Sequence, residues 1–447
     1  MGASQAVQTG LSASGDEPSP DADVPNRRAV RRGFQPVFLD IVNFLLADVR
    51  GALGPYLVVF LVTEQHWSQA SVGLVTTIGG LLGLAVQLPI GMAIDATRAK
   101  RALVVAAIAV LAVGATVIFL LPSFWPVLFA NTLMAIVGDV FAPAIAAITL
   151  GLYTRETLAR RTGRNGAFDH AGNVATAIVA AGVGYFFTQR AVFLLVPLFS
   201  LMAAAAVLAI PGDAIDHSRA RGADPLTAVS AEAAEPKPVF KPTGWLSLAR
   251  MRALAIFAGC AMLFTFANGP LVPLVGQKLA IANPAWATAL TSACIIGAQA
   301  MMIPTAVLVG WKADIWGRKP LLMVAFTILP IRAALYTFSD GTMWLLGVQL
   351  LDGVSAGIFM ALMPLLVADI TRGTGRYNMA LGAVITMQGI GGSLSGLASG
   401  LIVDHFGYDT AFLTLSFVAA AACLIFFFFM PETLRRASVA TQTQPAN

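Results

Sequence analysis

Apolar residues in this chain fall in long blocks, not in the alternating or three-to-four spacing of a half-buried strand or surface helix. Twelve blocks reach the roughly 20 residues that a helix needs to cross a bilayer. They cover 37–63, 70–94, 102–121, 125–149, 168–189, 191–210, 252–277, 286–309, 319–338, 342–367, 378–402 and 409–430. A polar stretch, 211–251, divides them into six and six; it holds Pro, Ala, Asp, Arg and Lys without apolar periodicity. The pattern predicts an all-α membrane protein with 12 transmembrane helices in two six-helix bundles, 37–210 and 252–430, joined by a cytoplasmic linker over 211–251. Residues 1–36 lack the apolar core of a signal peptide and are expected to form a disordered cytoplasmic tail. A second cytoplasmic tail is expected over 431–447.

Composition strengthens the membrane reading. The 447 residues are 57% hydrophobic and only 11% charged, against about 25% charged in soluble chains. A net charge of +5 would suggest nucleic acid in a soluble protein, but here the basic residues are segregated by side, so no nucleic-acid partner is expected. Of the 28 Lys and Arg residues, only Arg190 and Lys278 lie on one side of the blocks, and Arg50 and Arg332 lie within them. The rest are on the other side, which the positive-inside rule assigns to the cytoplasm together with both termini. The expected location is a bacterial inner membrane, and the expected state is a monomer. Cys260, Cys294 and Cys423 are scattered through apolar blocks, with no disulfide or metal-ligand spacing. No cofactor is expected. Phosphate-loop, nucleophile-elbow and His-Glu-x-x-His motifs are absent, so the chain does not read as an enzyme or primary pump.

The two halves repeat. Gly91-Met-Ala-Ile-Asp95, followed by Arg98, Lys100 and Arg101, returns half a chain later as Gly310-Trp-Lys-Ala-Asp314, followed by Gly317, Arg318 and Lys319. At nearly the same offset, Gly54-Pro55 matches Gly269-Pro270, Gly138-Asp139 resembles Asp352-Gly353, and Gly163-Arg164 matches Gly375-Arg376. A constant offset means a parallel repeat, with pseudo-two-fold symmetry about an axis along the membrane normal.

On these residues the chain resembles the major facilitator superfamily, over roughly 37–430. The family's loop motif reads Gly-x-x-x-Asp-[Arg/Lys]-x-Gly-[Arg/Lys]-[Arg/Lys]. The second copy matches at Gly310, Asp314, Gly317, Arg318 and Lys319, with Ile315 in place of a basic residue; the first keeps Gly91 and Asp95 but has Ala96 and Arg98 at the next motif positions. The resemblance implies two bundles rocking around a central cavity, with Asp95, Arg98, Asp314 and Arg318 in a cytoplasmic latch. Drug/proton antiporters of the family carry a basic residue four positions before the fourth-helix glycine, where this chain has Met134, and a Gly-Pro pair in the fifth helix, where it has no proline.

Ionisable residues at mid-membrane cost about 2.5–3.5 kcal/mol on insertion scales and normally face a partner or a water-filled cavity. Candidate substrate or coupling residues are therefore Asp48, Arg50, Asp139, Asn43, Asn268 and Asp352. At 100° per residue Asp40, Asn43, Ala47, Arg50 and Gly54 of the first helix share one polar stripe, and Gly54-Pro55 and Gly269-Pro270, which remove a backbone donor, are expected to kink the first and seventh helices. Arg50 offers a fork for a carboxylate or phosphate; its other reading is an ion pair with Asp48 or Asp139. Asp48 and Asp139 are candidate proton carriers. Asp169, Arg164 and Arg376 sit at the cytoplasmic ends and join Gly91, Gly310 and Gly317 as gate or latch candidates. His170 is read as a hydrogen-bonded packing residue and Arg332 as a snorkelling one. Gly79 and Gly83 in the second helix, with Gly392, Gly396 and Gly400 in the eleventh, are expected at the bundle interface. The expected function is secondary active transport of a small organic solute by alternating access, proton-coupled, with export favoured. The alternatives are uptake of an anionic metabolite and a non-transporting receptor on the same fold.

Overall fold

The computed structural model describes residues 25–47, 49, 53–97, 99–217, 219–221, 251–372 and 377–433. Asp48, Arg50, Arg98, Arg376, the side chains of Asp95 and Asp314, most of the linker and the outer parts of both tails lie outside the described residues. Every regular element described is a helix. In the first half these are α1 (Arg27–Arg31), α2 (Pro36–Leu46), α3 (Gly54–Thr63), α4 (Gln69–Ala96), α5 (Lys100–Leu120), α6 (Phe124–Leu152), α7 (Arg155–Phe186) and α8 (Leu195–Ala209). In the second half they are α9 (Arg252–Asn268), α10 (Leu271–Ala282), α11 (Ala287–Trp316), α12 (Arg318–Leu335), α13 (Thr342–Ile370) and α14 (Tyr377–Phe429).

Eight stretches are long and apolar enough to cross a membrane by length and composition. The other expected blocks differ for identifiable reasons. The first is broken between α2 and α3, where Leu53 takes a left-handed φ of 53° ahead of Gly54-Pro55. The fifth, α7, opens with a charged turn, and α12 carries Arg318, Lys319 and Arg332. The eleventh and twelfth run together as α14, two limbs meeting at Gly407 with φ 83°. The seventh block is interrupted like the first, at Gly269-Pro270 between α9 and α10. A Gly-Pro pair thus breaks the lead helix of each half, because proline has no N–H to continue the ladder. The break ends the continuous stripe expected from Asp40 to Gly54.

Buried side chains form two large cores, one from residues 29–220 and one from 254–430, with a small cluster of Val59, Ala280 and Ala287 between the halves. In the second, Phe264 stacks on Phe359 at 4.4 Å and Phe326 on Phe426 at 4.7 Å, joining α9, α12, α13 and α14. In the first, a buried ion cluster ties α2 to α7. Asp40, 2% exposed, receives Arg161 Nη2 at 2.6 Å and Arg164 Nη2 at 2.6 Å. Arg161, fully buried, also donates to Asn165 Oδ1 at 2.9 Å. Asp40, expected on a polar stripe, and Arg164, expected at a gate, therefore pair within one bundle.

One end of the helices carries the described residues 97, 99, 153–154, 317 and 371–372 between helices, and the attachment points of the linker; we call it the linker side. The opposite end, with turns at 64–68, 187–189 and 339–341, is the far side. Hydrogen bonds between the bundles are found from the far side to mid-helix. Tyr56 Oη and Ser292 Oγ are 2.8 Å apart; Thr77 Oγ1 donates to the Ser393 carbonyl at 2.6 Å; His170 Nδ1 and Gln299 Oε1 are 3.0 Å apart. The glycine contacts differ from expectation. Gly79 and Gly83 face Asn131 and Ala135 of α6, inside their own bundle. Gly73 meets the Gly396 carbonyl of α14, and Gly80 meets Ser393. Gly400 lies against Gln69, whereas Gly392 faces Thr265 of its own bundle.

Candidate functional site

Between the two bundles lies a cavity of about 500 Å³. The broken helices border it, Gly54-Pro55 from α3 and Asn268-Gly269-Pro270 from the α9–α10 junction. Irregular backbone at membrane depth is tolerated where it lines a cavity. Its walls are largely apolar. The polar groups are mostly uncharged amides and hydroxyls, among them Gln69, Gln277, Gln299, Gln349 and Ser399, with one carboxylate, Asp352.

Asp352 is the outlet of a buried network. Arg332 on α12 is fully buried and forms an ion pair with Asp352 on α13. Its Nη2 donates to Asn268 Oδ1 at 2.7 Å, at the last residue of α9. Gln349 Nε2 donates to Asp352 Oδ2 at 3.1 Å, and Tyr336 Oη donates to Gln349 Oε1 at 2.5 Å. Arg332 thus does not snorkel. Its guanidinium is delocalised and weakly hydrated, which suits it to a buried pair. Two of the predicted site residues, Asn268 and Asp352, are brought together here by an arginine that sequence depth alone sent to the surface.

The first half is arranged differently. Asp139 on α6 packs against Gly83, and no hydrogen bond or ion pair to it is found among the described residues. Asn43 donates Nδ2 to the Leu39 carbonyl at 2.7 Å. It lines a separate small cavity toward the linker side together with Asn165 and Asp169. Asp48 and Arg50, the two strongest candidates from the sequence, lie outside the described residues.

On the far side the cavity is roofed by a hydrogen-bonded bridge. Gln69 Nε2 donates to Gln277 Oε1 at 2.8 Å and to Tyr408 Oη at 2.8 Å. Asp404 of α14 accepts from the Gln69 and Ala70 backbone N–H groups at 2.9 and 2.7 Å. A carboxylate there satisfies otherwise unpaired donors and the positive end of the α4 dipole. The cap joins positions too distant in the chain for local spacing to reveal its partners.

On the linker side, the second loop signature works within its own bundle. Gly317 turns the chain with φ 100°, Arg318 Nε is 3.1 Å from Asp369 Oδ2, and Glu432 accepts from the N–H groups of Arg318 and Lys319 at 3.1 Å each. Glu432 was missed because it lies beyond the last apolar block. In the first signature Lys100 Nζ donates to the Ile94 carbonyl at 2.5 Å, and Arg101 donates to the carbonyls of Val207 and Leu208 at the end of α8. Gly91 and Gly310 lie inside α4 and α11.

Comparison with known proteins agrees with this architecture. The family model described as Major Facilitator Superfamily matches residues 39–307 and 254–446. Two Mycobacterium tuberculosis proteins, from strains CDC 1551 / Oshkosh and ATCC 25618 / H37Rv, are each 46% identical over 396 residues, covering 89% of this chain and 93% of theirs. Both are named uncharacterized MFS-type transporters. A Lactococcus lactis multi-drug resistance efflux pump PmrA homolog is 28% identical over 28% of this chain and 30% of its own. Among solved structures, a mutant of the nucleoside transporter NupG superposes with TM-score 0.74 at 14% identity, over 89% of this chain and all of that one. A D-xylose-proton symporter superposes with TM-score 0.68 at 12% identity, over 91% and 99% of the two chains.

Proposed function

The chain belongs to the Major Facilitator Superfamily, and on that footing we propose that it is a proton-coupled exporter of a neutral or cationic amphipathic solute, with Asp352 as the coupling carboxylate. The observation that carries this reading is the wall of the central cavity. It is apolar, offers amide and hydroxyl partners, and bears one carboxylate backed by a buried guanidinium. Such a surface desolvates an amphipath cheaply and orients it with a few hydrogen bonds. Among the described lining residues a carboxylate substrate would meet Asp352 without an uncommitted cation, since Arg332 is held by Asp352 and Asn268.

Protonation of Asp352 removes the charge from one side of the ion pair and leaves Arg332 a weaker, neutral acceptor there. The hydrogen bond of Arg332 to Asn268, adjacent to the Gly269-Pro270 break, then carries more of its hold. Charge at Asp352 is thereby linked to the hold on a hinge in a cavity-lining helix. Asp139, uncharged by any described partner, is a second candidate proton carrier in the other bundle. The partial likeness to an efflux pump homolog supports the direction. The reading places the protein in a bacterial inner membrane with both termini in the cytoplasm, working as a monomer.

The test begins with thermal stabilisation of the purified protein by small molecules, since a ligand that binds the folded state raises its melting temperature. A hit is then followed as flux in proteoliposomes. We expect a pH gradient to accelerate its movement, and Asp352→Asn to abolish the acceleration while leaving counterflow exchange. Wild-type flux indifferent to the gradient defeats the coupling claim. Uptake of an anion is the second reading, and it depends on Arg50. An anionic hit whose binding collapses in Arg50→Ala favours it over export of an amphipath.

A further inference from the structure

We propose that a second cavity, between α7 and α11, is a lateral portal. Through it the alkyl part of a single-chain amphiphile passes from the linker-side leaflet into the central cavity. The inference rests on the amphipathic-solute reading above and adds a route and a binding site to it.

This second cavity measures about 920 Å³ and is bordered by α7, α11 and α13. It shares Gln299 and Met302 with the central cavity, so the two meet at those side chains. On the α7 side its lining includes small residues such as Gly166, Ala167 and Ala171, which leave space beside the helix. Opposite them stand Ile303, Val307 and Met360. These three apolar residues are 59%, 46% and 55% exposed, so this wall of the cavity is open at the surface of the helices. Methionine adapts to chains of different shape, which suits Met302 and Met360 to a route.

The two helices are not splayed along their whole length. At the far side Gly184 is pressed against Thr288, and the rings of Tyr185 and Trp286 are 4.7 Å apart. The gap therefore opens only from mid-helix toward the linker side. At the junction of the two cavities stands one polar bridge, His170 to Gln299 at 3.0 Å. A polar bridge at the inner end of an apolar passage sorts an amphiphile, with its tail left in the portal and its head exchanging hydrogen bonds with Gln299. A wholly polar solute gains nothing from such a passage, whereas an alkyl chain already dissolved in the leaflet enters without crossing water.

The experiment uses the full chain in phosphatidylcholine and phosphatidylglycerol vesicles with a photoreactive dodecylamine carrying a diazirine at the chain end. Label is mapped by peptide mass spectrometry. We expect Ile303, Val307 and Met360 to be labelled about tenfold more than Val113 and Leu201, apolar residues of other helices that are more exposed. Compounds that thermally stabilise the protein should compete with that label. Ala167→Phe should reduce portal label to the Val113 level while a water-soluble stabilising compound still binds. Should Ala167→Phe fail to fold, His170→Ala removes the bridge and is expected to increase label at Met302. Uniform label over Ile303 and Val113 overturns the portal, as does portal label that no cavity compound displaces, which marks annular lipid only. Stabilising compounds without portal label defeat the portal alone; absence of any stabilising compound defeats the underlying transport reading.

Discussion

Arg332 and Asp352 hold each other where neither is stable alone. Removing one partner of a buried ion pair leaves an uncompensated charge and costs about 3–5 kcal/mol. Arg332→Met should therefore unfold in detergent at markedly lower denaturant, and Arg332→Met with Asp352→Leu should recover most of the loss. Wild-type stability in the single variant contradicts the pairing. The sequence made half of this pair legible. Asp352 drew attention because it repeats the position of Asp139 in a run with almost no charge. Arg332 was misassigned because depth along one helix says nothing about which neighbour faces it, and its partners Asn268 and Asp352 come from two other helices. Asp40 makes the same point from the other half. Its place on a polar stripe was readable, but its partners Arg161 and Arg164 come from α7, which spacing along one helix does not reveal.

Helices in this fold meet through backbone, and the contacts at α4 and α14 decide which end of the molecule is shut. A Cβ at Gly73 would collide with the Gly396 carbonyl, and one at Gly400 with the Gln69 carbonyl. Gly73→Ala should thus push α4 from α14 at the far side and shift the population toward far-side opening. With Ser399→Cys as a reporter in the cavity wall, attack by an impermeant thiol reagent from the far side should rise about tenfold, which corresponds to about 1.4 kcal/mol. Gly79→Ala presses on Asn131 inside its own bundle and should leave the reporter unchanged. Equal reactivity in all three proteins would mean that this contact does not gate the cavity. Small residues in α4 and α14 were readable as close-packing signals. The phase was not, because two registers of glycine lie on α4, and only the tertiary arrangement assigns Gly73 and Gly80 to α14 and Gly79 and Gly83 to α6. The Gly-Pro breaks were legible because they depend on local backbone chemistry that no neighbour overrides.

For the whole molecule, the bridges between bundles gather at the far side while the basic residues gather at the linker side. If the linker side is cytoplasmic, as charge asymmetry implies, the cavity is closed to the outside and this conformation is the inward-facing one. The repeat, the two cores and the placement of basic turns all follow from the sequence. The choice of conformation does not, since the same chain must support both. Orientation therefore decides what the far-side bridge is. Ala99→Cys on the linker side and Thr188→Cys on the far side are both exposed turn positions. In intact cells a membrane-impermeant maleimide should label Thr188→Cys at once and Ala99→Cys only after permeabilisation. The reverse order would invert the assignment. The Gln69–Gln277–Tyr408 bridge would then be a cytoplasmic gate, the structure would be outward-facing, and the α7–α11 portal would open to the outer leaflet.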